Sequence, residues 1–272
     1  MITLLGMALG VIFIIVPLFL AKIYHIDLCG KMMAALAKLL LRVGIIGGVL
    51  YLLVQSNSVA LDIICAFALV VYSAASVVVK ARLGFSQFIV PVGAGILVAT
   101  LFVGVILLFA NISISQDYCV RYVLPVVALL SGGIVEPMSK ALATYYMGLR
   151  HHNHLYYYLI GNGASCEEAI FYLQKRAIER SFLLGIKRMS SMAIGVSPVV
   201  LWVMLMCGKT VLEATGWQVL IVLGVFAASV VAVGTALAIA RKYVLDGYAR
   251  IKSEIAEQEE VSEIKNEDDE EI

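Results

Sequence analysis

Long apolar runs constrain this chain more than any other feature of its sequence. Stretches of about 20 predominantly apolar residues recur from the first residue to about position 240, without the polar face of an amphipathic helix. At ~1.5 Å per residue, a helix of that length crosses a hydrocarbon core of ~30 Å. The helices of a soluble core would keep a polar face toward water. The sequence therefore predicts an all-α, polytopic membrane protein.

Composition agrees with this prediction. Hydrophobic residues make up 62% of the chain and charged residues 14%, against roughly 45–50% and about 25% in soluble proteins. The apolar runs predict about seven transmembrane helices, at 2–21, 33–54, 60–79, 88–110, 122–149, 190–207 and 217–240.

The basic residues between these runs predict the orientation of the chain. One side of the membrane receives thirteen of them: Lys22, Lys31, Lys38, Lys80, Arg82, Arg150, Lys175, Arg176, Arg180, Lys187, Arg188, Arg241 and Lys242. The other side receives only Arg121 and Lys209. Cytoplasmic loops carry the excess of Lys and Arg, so we expect the N-terminus outside and the C-terminus in the cytoplasm. The polar segment 150–189 is then a cytoplasmic part of a transmembrane domain that covers 1–249.

The end of the chain has a different composition. Residues 250–272 hold ten of the 19 acidic residues and only three of the 20 Lys and Arg. A short, highly acidic segment with few apolar residues does not bury enough surface to fold alone. We expect an acidic, disordered cytoplasmic tail.

The sequence of segment 150–189 predicts where a helix begins. Gly163 and Ala164 precede Ser165, and Glu168 follows three residues later, which is the pattern of a capping box. The next residues place an apolar stripe on one helix face: Ala169, Ile170, Leu173, Ala177 and Ile178. Two interpretations stay open, a helix that lies on the lipid headgroups and a helix that docks a cytoplasmic partner.

A carboxylate interrupts the fifth run near its middle. An acid at that depth costs roughly 2.5–3.5 kcal/mol and is by default a functional-site hypothesis. Pro137 cannot donate to the carbonyl of Gly133, so the helix beside Glu136 is weakened. Lys140 one turn later, or Arg42 in the second run, could neutralise the acid. The site is either an internal ion pair or part of a transport path and its gate, and it comprises Glu136, Pro137, Gly132, Gly133, Lys140 and Arg42.

Three histidines close to one another follow the fifth run. His151, His152 and His154 are possible ligands of a transition metal. Adjacent histidines do not share one helix face, however, and no cysteine or carboxylate lies near them in sequence. We interpret them as a solvated cluster at the membrane edge, with a metal site as the alternative, and expect no cofactor.

A longer pattern resembles the FetB-type permeases, the membrane subunits of ABC transporters associated with iron export and metal tolerance in bacteria. The residues that carry the resemblance are Gly163-Ala164-Ser165, Ala169, Ala177-Ile178, Ser197-Pro198, Gly208 and Gln218, with Pro125 and Gly132 upstream and Lys38 and Arg42 in the second run. Several positions of the family pattern are changed, at Gly133, Val199-Val200, Leu184, Lys187, Ser73 and Ser76.

The resemblance implies a function and partners. It implies a non-catalytic permease of the bacterial inner membrane that works as a homodimer with a separate cytoplasmic ATPase subunit and exports iron, another metal or a small solute. The ATPase would couple to the segment that contains Gly163, Ala164, Ser165, Glu168, Ala169, Leu173, Ala177 and Ile178. An ATPase-independent channel or a structural membrane protein is the alternative, and a membrane-embedded enzyme is a third.

Overall fold

The secondary-structure elements of the described residues are all helices. The computed structural model describes residues 29–56, 59–109, 123–151 and 165–244, together with positions 19, 23–24, 158 and 160–163. The described residues form α1 (Cys29–Ser56), α2 (Val59–Lys80), α3 (Phe85–Phe109), α4 (Leu124–His151), α5 (Cys166–Ser190), α6 (Val199–Met206) and α7 (Val211–Val244). The predicted all-α class of a polytopic membrane protein is confirmed.

Five of these helices are long and apolar enough to cross a membrane. Their apolar spans are Met32–Leu53, Ala60–Lys80, Phe88–Leu108, Leu124–Leu149 and Val211–Ala240. They match the predicted second, third, fourth, fifth and seventh spans within a few residues at most boundaries. The predicted first span, 2–21, and the acidic tail lie outside the described residues.

The chain forms two compact units, Met1–Ser58 and Val59–Ile272. In the first unit, α1 exposes most of its surface, including Lys38 and Arg42. In the second unit, α2, α3, α4, α5 and α7 share one apolar core. The predicted boundary between membrane domain and tail, at 249–250, falls outside the described residues.

Small residues let α3 and α7 pack closely. A Cβ added at Gly95 of α3 would lie 2.6 Å from the backbone oxygen of Ala232 in α7. A Cβ added at Gly224 of α7 would in turn lie 3.1 Å from Leu107 of α3. Because lipid tails are as apolar as the helices, close backbone approach is a main source of attraction between membrane helices.

Two contacts define the register between α3 and α4. The rings of Phe88 and Tyr146 are 4.6 Å apart at their centroids, and a Cβ at Gly104 would lie 3.7 Å from Leu130. Both contacts fit a single antiparallel register. That register places Glu136 level with Val98, at the centre of the span Phe88–Leu108.

The path of α5 shows how much of the segment 150–189 lies beside α4. A Cβ at Gly148 of α4 would lie 3.0 Å from Leu173 of α5, and Arg188 Nη1 lies 3.5 Å from the Gly133 oxygen. Helix α5 therefore runs antiparallel along α4 from the end of that span to its middle. The second half of α5 lies beside the α4 span, where Arg188 reaches Gly133.

The predicted span 190–207 is not one helix. Its helical part is α6, with only eight residues, or about 12 Å of length. Residues 191–198 form a turn in which Ser191 O accepts from the backbone amides of Gly195 at 2.8 Å and Val196 at 2.9 Å. The helix is interrupted because Ala193 has a φ of 68° and Pro198 has no amide hydrogen to donate.

Candidate functional site

The start of α5 has the local structure that its sequence predicts. The Ser165 backbone amide donates to Glu168 Oε2 at 2.8 Å, and the Glu168 amide donates to Ser165 Oγ at 3.3 Å. These reciprocal bonds confirm the predicted capping box. The bond from the Ser165 amide, with a second from the Ser165 hydroxyl to the same oxygen at 3.0 Å, holds the pKa of the Glu168 carboxyl below its ordinary value of 4.5. Gly163, with a φ of 88°, makes the turn before it in a conformation that favours glycine.

The apolar stripe of α5 faces the interior of this chain. Ile170, Leu173 and Ala177 are buried, and Ile178 packs against the same core. This stripe is therefore not free to contact either lipid headgroups or a partner, as both sequence interpretations required. Ala164 and the side chain of Ala169 lie outside the described residues.

The exposed face of α5 is basic and aromatic. Near the start of the helix, Phe171 and Tyr172 are exposed, and the Arg176 guanidinium lies 5.0 Å from the centre of the Tyr172 ring. Lys175 and Glu179 form a loose ion pair of 4.0 Å further along. This face is the part of α5 that is open to another molecule.

Glu136 joins two helices by ion pairs. Its Oε1 lies 2.7 Å from Lys140 Nζ on the same helix, and its Oε2 lies 3.3 Å from Arg188 Nη2 near the end of α5. The pair with Lys140 is the one that the spacing of one turn predicts. Arg188 is a partner that the sequence analysis did not name.

Arg188 also reaches the carbonyl that Pro137 leaves without a donor. Because Pro137 has no amide hydrogen, the Gly133 oxygen has no partner four residues later. Arg188 Nη1 donates to this oxygen at 3.5 Å, while Nη2 donates to Glu136. The last turn of α5 is therefore attached to the weakest point of α4 by two bonds from one guanidinium.

The two neighbouring glycines of α4 have different surroundings. A Cβ at Gly133 would lie 2.6 Å from Val225 Cγ1, so this glycine permits close contact of α4 with α7. A Cβ at Gly132 would meet nothing within 4 Å. Of these two glycines, Gly133 alone is required by packing against the described residues.

A cavity of about 370 Å³ lies beside the ion pairs, between α4, α5 and α7. Its charged lining residues are Glu136, Lys140, Lys187 and Arg188. Its apolar wall includes Leu184, Val222, Val225 and Phe226. The volume is within the ~300–1,000 Å³ of typical small-molecule sites, and the charge is predominantly positive.

Two other predictions about this region are not tested by the described structure. Arg42 lies in the first unit, so its pairing with Glu136 stays a prediction. The side chains of His151, His152 and His154 lie outside the described residues. Within the described part of the chain, no group of three His, Cys, Asp or Glu is placed to hold a metal ion.

Gln218 of α7 supports the turn between α5 and α6. Its Oε1 accepts from the Leu201 amide at 3.2 Å, and its Nε2 donates to Met192 Sδ at 3.8 Å. The side chain is buried. It thereby satisfies an amide near the start of α6, where Pro198 provides no side-chain cap.

Comparison with known proteins gives one family. A family model described as an uncharacterised protein family (UPF0014) matches residues 4–245. This range includes all seven described helices. No curated protein and no solved structure matches the chain significantly.

Proposed function

Since the chain belongs to the UPF0014 family, which is associated with ABC transporter permeases, we propose that it is the permease subunit of an ABC transporter. ATP hydrolysis is assigned to a separate cytoplasmic ATPase subunit. Two copies of the permease form a homodimer in the bacterial inner membrane. The resemblance to FetB-type permeases extends the proposal to export of iron, another metal or a small solute.

One observation carries the proposal. Helix α5 begins at a capping box beyond the end of the α4 span and carries Arg188 in its last turn, where this side chain binds both Glu136 and the carbonyl released by Pro137. Its 25 residues form a rod of about 37 Å. A displacement at its start is therefore delivered to the centre of a membrane span, beside Pro137.

Packing makes this rod act on the span. Leu173 and Ala177 are buried against the core that includes α4, and a Cβ at Gly185 would collide with Phe226 of α7. Protein cores have little free volume, so packed helices shift between discrete arrangements and do not deform smoothly. Movement of α5 changes the packing of α4 and α7 together.

The exposed residues near the start of α5 are the proposed ATPase contact. Phe171, Tyr172 and Arg176 lie there on the side opposite the buried stripe. Aromatic residues and Arg are enriched at the centres of protein interfaces. The buried stripe holds α5 in place, and this exposed face receives the partner.

The test is co-purification of the tagged chain from its native membrane in mild detergent, with mass spectrometry of the eluate. We expect a P-loop ATPase with the unchanged chain and its loss with Arg176→Glu. Lys209→Glu, a charge reversal in the exposed turn between α6 and α7, is the matched control and retains the ATPase.

Recovery of the chain without an ATPase, under conditions in which another ABC pair stays together, would refute the permease proposal. Solute flux through the chain reconstituted alone would then favour an ATPase-independent channel. Absence of both results would favour a structural membrane protein. Equal ATPase recovery with Arg176→Glu and with Lys209→Glu would refute the proposal that the ATPase contacts this face of α5.

A further inference from the structure

We infer that the cavity between α4, α5 and α7 binds a small organic anion, with a phosphate or carboxylate group against Lys140, Lys187 and Arg188 and an apolar portion against Val225 and Phe226. This inference rests on the proposed permease function and defines the class of its substrate. A metal carried by this site would travel as an anionic complex and not as a bare cation.

The balance of charge is the first step of the argument. Three of the described cavity-lining residues are basic, and Glu136 is the single acid among them. Its two oxygens are already bound to Lys140 and Arg188. The field of Lys80, at the end of α2, also reaches this carboxylate. The cavity therefore carries more positive charge than its own side chains neutralise.

The depth of the cavity makes this excess costly. Glu136 is level with the centre of the α3 span, and Arg188 lies one turn away at Gly133. Basic side chains at that depth cost roughly 2.5–3.5 kcal/mol each on insertion scales and face an interior, a partner or water. An anionic ligand supplies the missing negative charge directly.

The end of α5 does not supply enough negative charge by itself. Lys187 and Arg188 lie in its last turn, where the helix dipole contributes the equivalent of about half a negative charge. Two basic groups in excess of one carboxylate remain under-compensated. The same excess repels a bare divalent cation, which would meet one carboxylate already shared by two bases.

The apolar residues of the cavity wall indicate the chemistry of the rest of the ligand. Leu184, Val222, Val225 and Phe226 line the same cavity as the bases. A ligand with one anionic group and one apolar portion satisfies both surfaces. Inorganic phosphate would leave the apolar side without a partner.

The experiment measures binding to the full chain in phosphatidylcholine nanodiscs by equilibrium dialysis. Three fluorescent probes of similar size are compared: 1-naphthyl phosphate, 1-naphthol and 1-naphthylmethylamine, with empty nanodiscs subtracted. We expect saturable binding of the phosphate, with an affinity at least about ten-fold higher than that of either other probe. Equal binding of the three, or preference for the amine, would overturn the inference.

Variants identify the site. Arg188→Gln is expected to weaken phosphate-probe binding at least about ten-fold, whereas Arg188→Lys, which keeps the charge, restores most of it. Glu136→Gln is expected to strengthen binding, because it removes the competing acid from the cavity. Lys175→Gln, exposed on the same helix and outside the cavity, is the control without effect. Unchanged affinity in Arg188→Gln, with the fold retained by tryptophan fluorescence, would refute the assignment.

A last arm distinguishes a soluble anion from a lipid headgroup. If the phosphate of an anionic lipid occupies the cavity, phosphatidylglycerol in the nanodisc weakens probe binding to the unchanged chain more than to Arg188→Gln. If the ligand is a soluble anion, phosphatidylglycerol has no such effect. Neither result depends on the ATPase, so an ATPase recovered without anion binding refutes this inference and leaves the permease proposal standing.

Discussion

The contact between Gly185 and Phe226 provides a quantitative test of how α5 is held against α7. A Cβ added at Gly185 would lie 2.6 Å from Phe226 Cε2, whereas carbon atoms in good contact are about 3.5–4.0 Å apart. Because Phe226 Cδ2 would lie closer still, Gly185→Ala demands a displacement of more than about 1 Å, either of the ring or of α5. The neighbouring ring of Phe182, with its centroid 5.5 Å from that of Phe226, limits rotation.

The expected cost follows from this overlap. Overpacking of a close-packed interior costs typically 1–3 kcal/mol. For a protein of this size, 1 kcal/mol shifts the melting temperature by about 2–4 °C, so about 2 kcal/mol corresponds to about 4–8 °C. Gly185→Ala would lower the melting temperature by that amount, although alanine has the higher intrinsic helix propensity.

A double-mutant cycle separates the steric effect from any other. Phe226→Leu shortens the side chain that the new methyl group meets, so Gly185→Ala should cost little in that background. The coupling energy is expected to be about 1–2 kcal/mol. The fluorescence of Trp202 and Trp217, which lie on α6 and α7, reports unfolding in detergent for all four proteins. Additive costs in the double variant would refute the packing argument.

Two other predictions test the α3–α7 contact and the start of α5. Gly95→Ala is expected to destabilise the chain more than Gly234→Ala in thermal unfolding, because a Cβ at Gly95 meets a backbone oxygen and one at Gly234 meets nothing within 4 Å; equal melting temperatures would contradict this. Ser165→Ala is expected to weaken the first turn of α5 by about 1 kcal/mol, seen as faster amide hydrogen exchange there. Because the pKa of Glu168 is lowered on folding, its stabilisation is fully present above 4.5 and is lost as the pH falls through the lowered value. The protection factor of this turn, which compares its exchange rate with that of an unprotected amide at the same pH, should therefore fall on acidification. If the ratio of the protection factors of the unchanged chain and Ser165→Ala does not vary with pH, the role of this carboxyl is refuted.

Local features of the site could be predicted from the sequence. The capping box involves residues three apart, and the Glu136–Lys140 pair involves residues one turn apart on a helix. In both, the spacing along the chain determines the distance in space. The carbonyl freed by Pro137 is likewise a consequence of covalent structure alone. These details required only the correct helix assignment.

The partner of that carbonyl could not be predicted in the same way. Arg188 lies 52 residues from Glu136, and its position in a polar segment suggested a loop charge. One signal in the sequence is the length of the helical pattern that follows the capping box. This pattern continues to Ser190, which is longer than a surface helix of a few turns. The interruption at 191–198 was missed because the surrounding apolar residues dominate a hydropathy window.

By itself, the sequence determined the membrane class, five of the spans and the start of α5, because these follow from the free energy of burial in lipid and from short-range hydrogen bonding. Tertiary structure alone decided that the apolar stripe of α5 faces inward, that Arg188 meets Glu136 and that a basic cavity forms beside them. Those outcomes depend on the register of α5 against α4 and α7, which is set by close contacts at Gly148 and Gly185. Hydropathy describes how deep a helix lies, whereas only packing determines which of its faces meet.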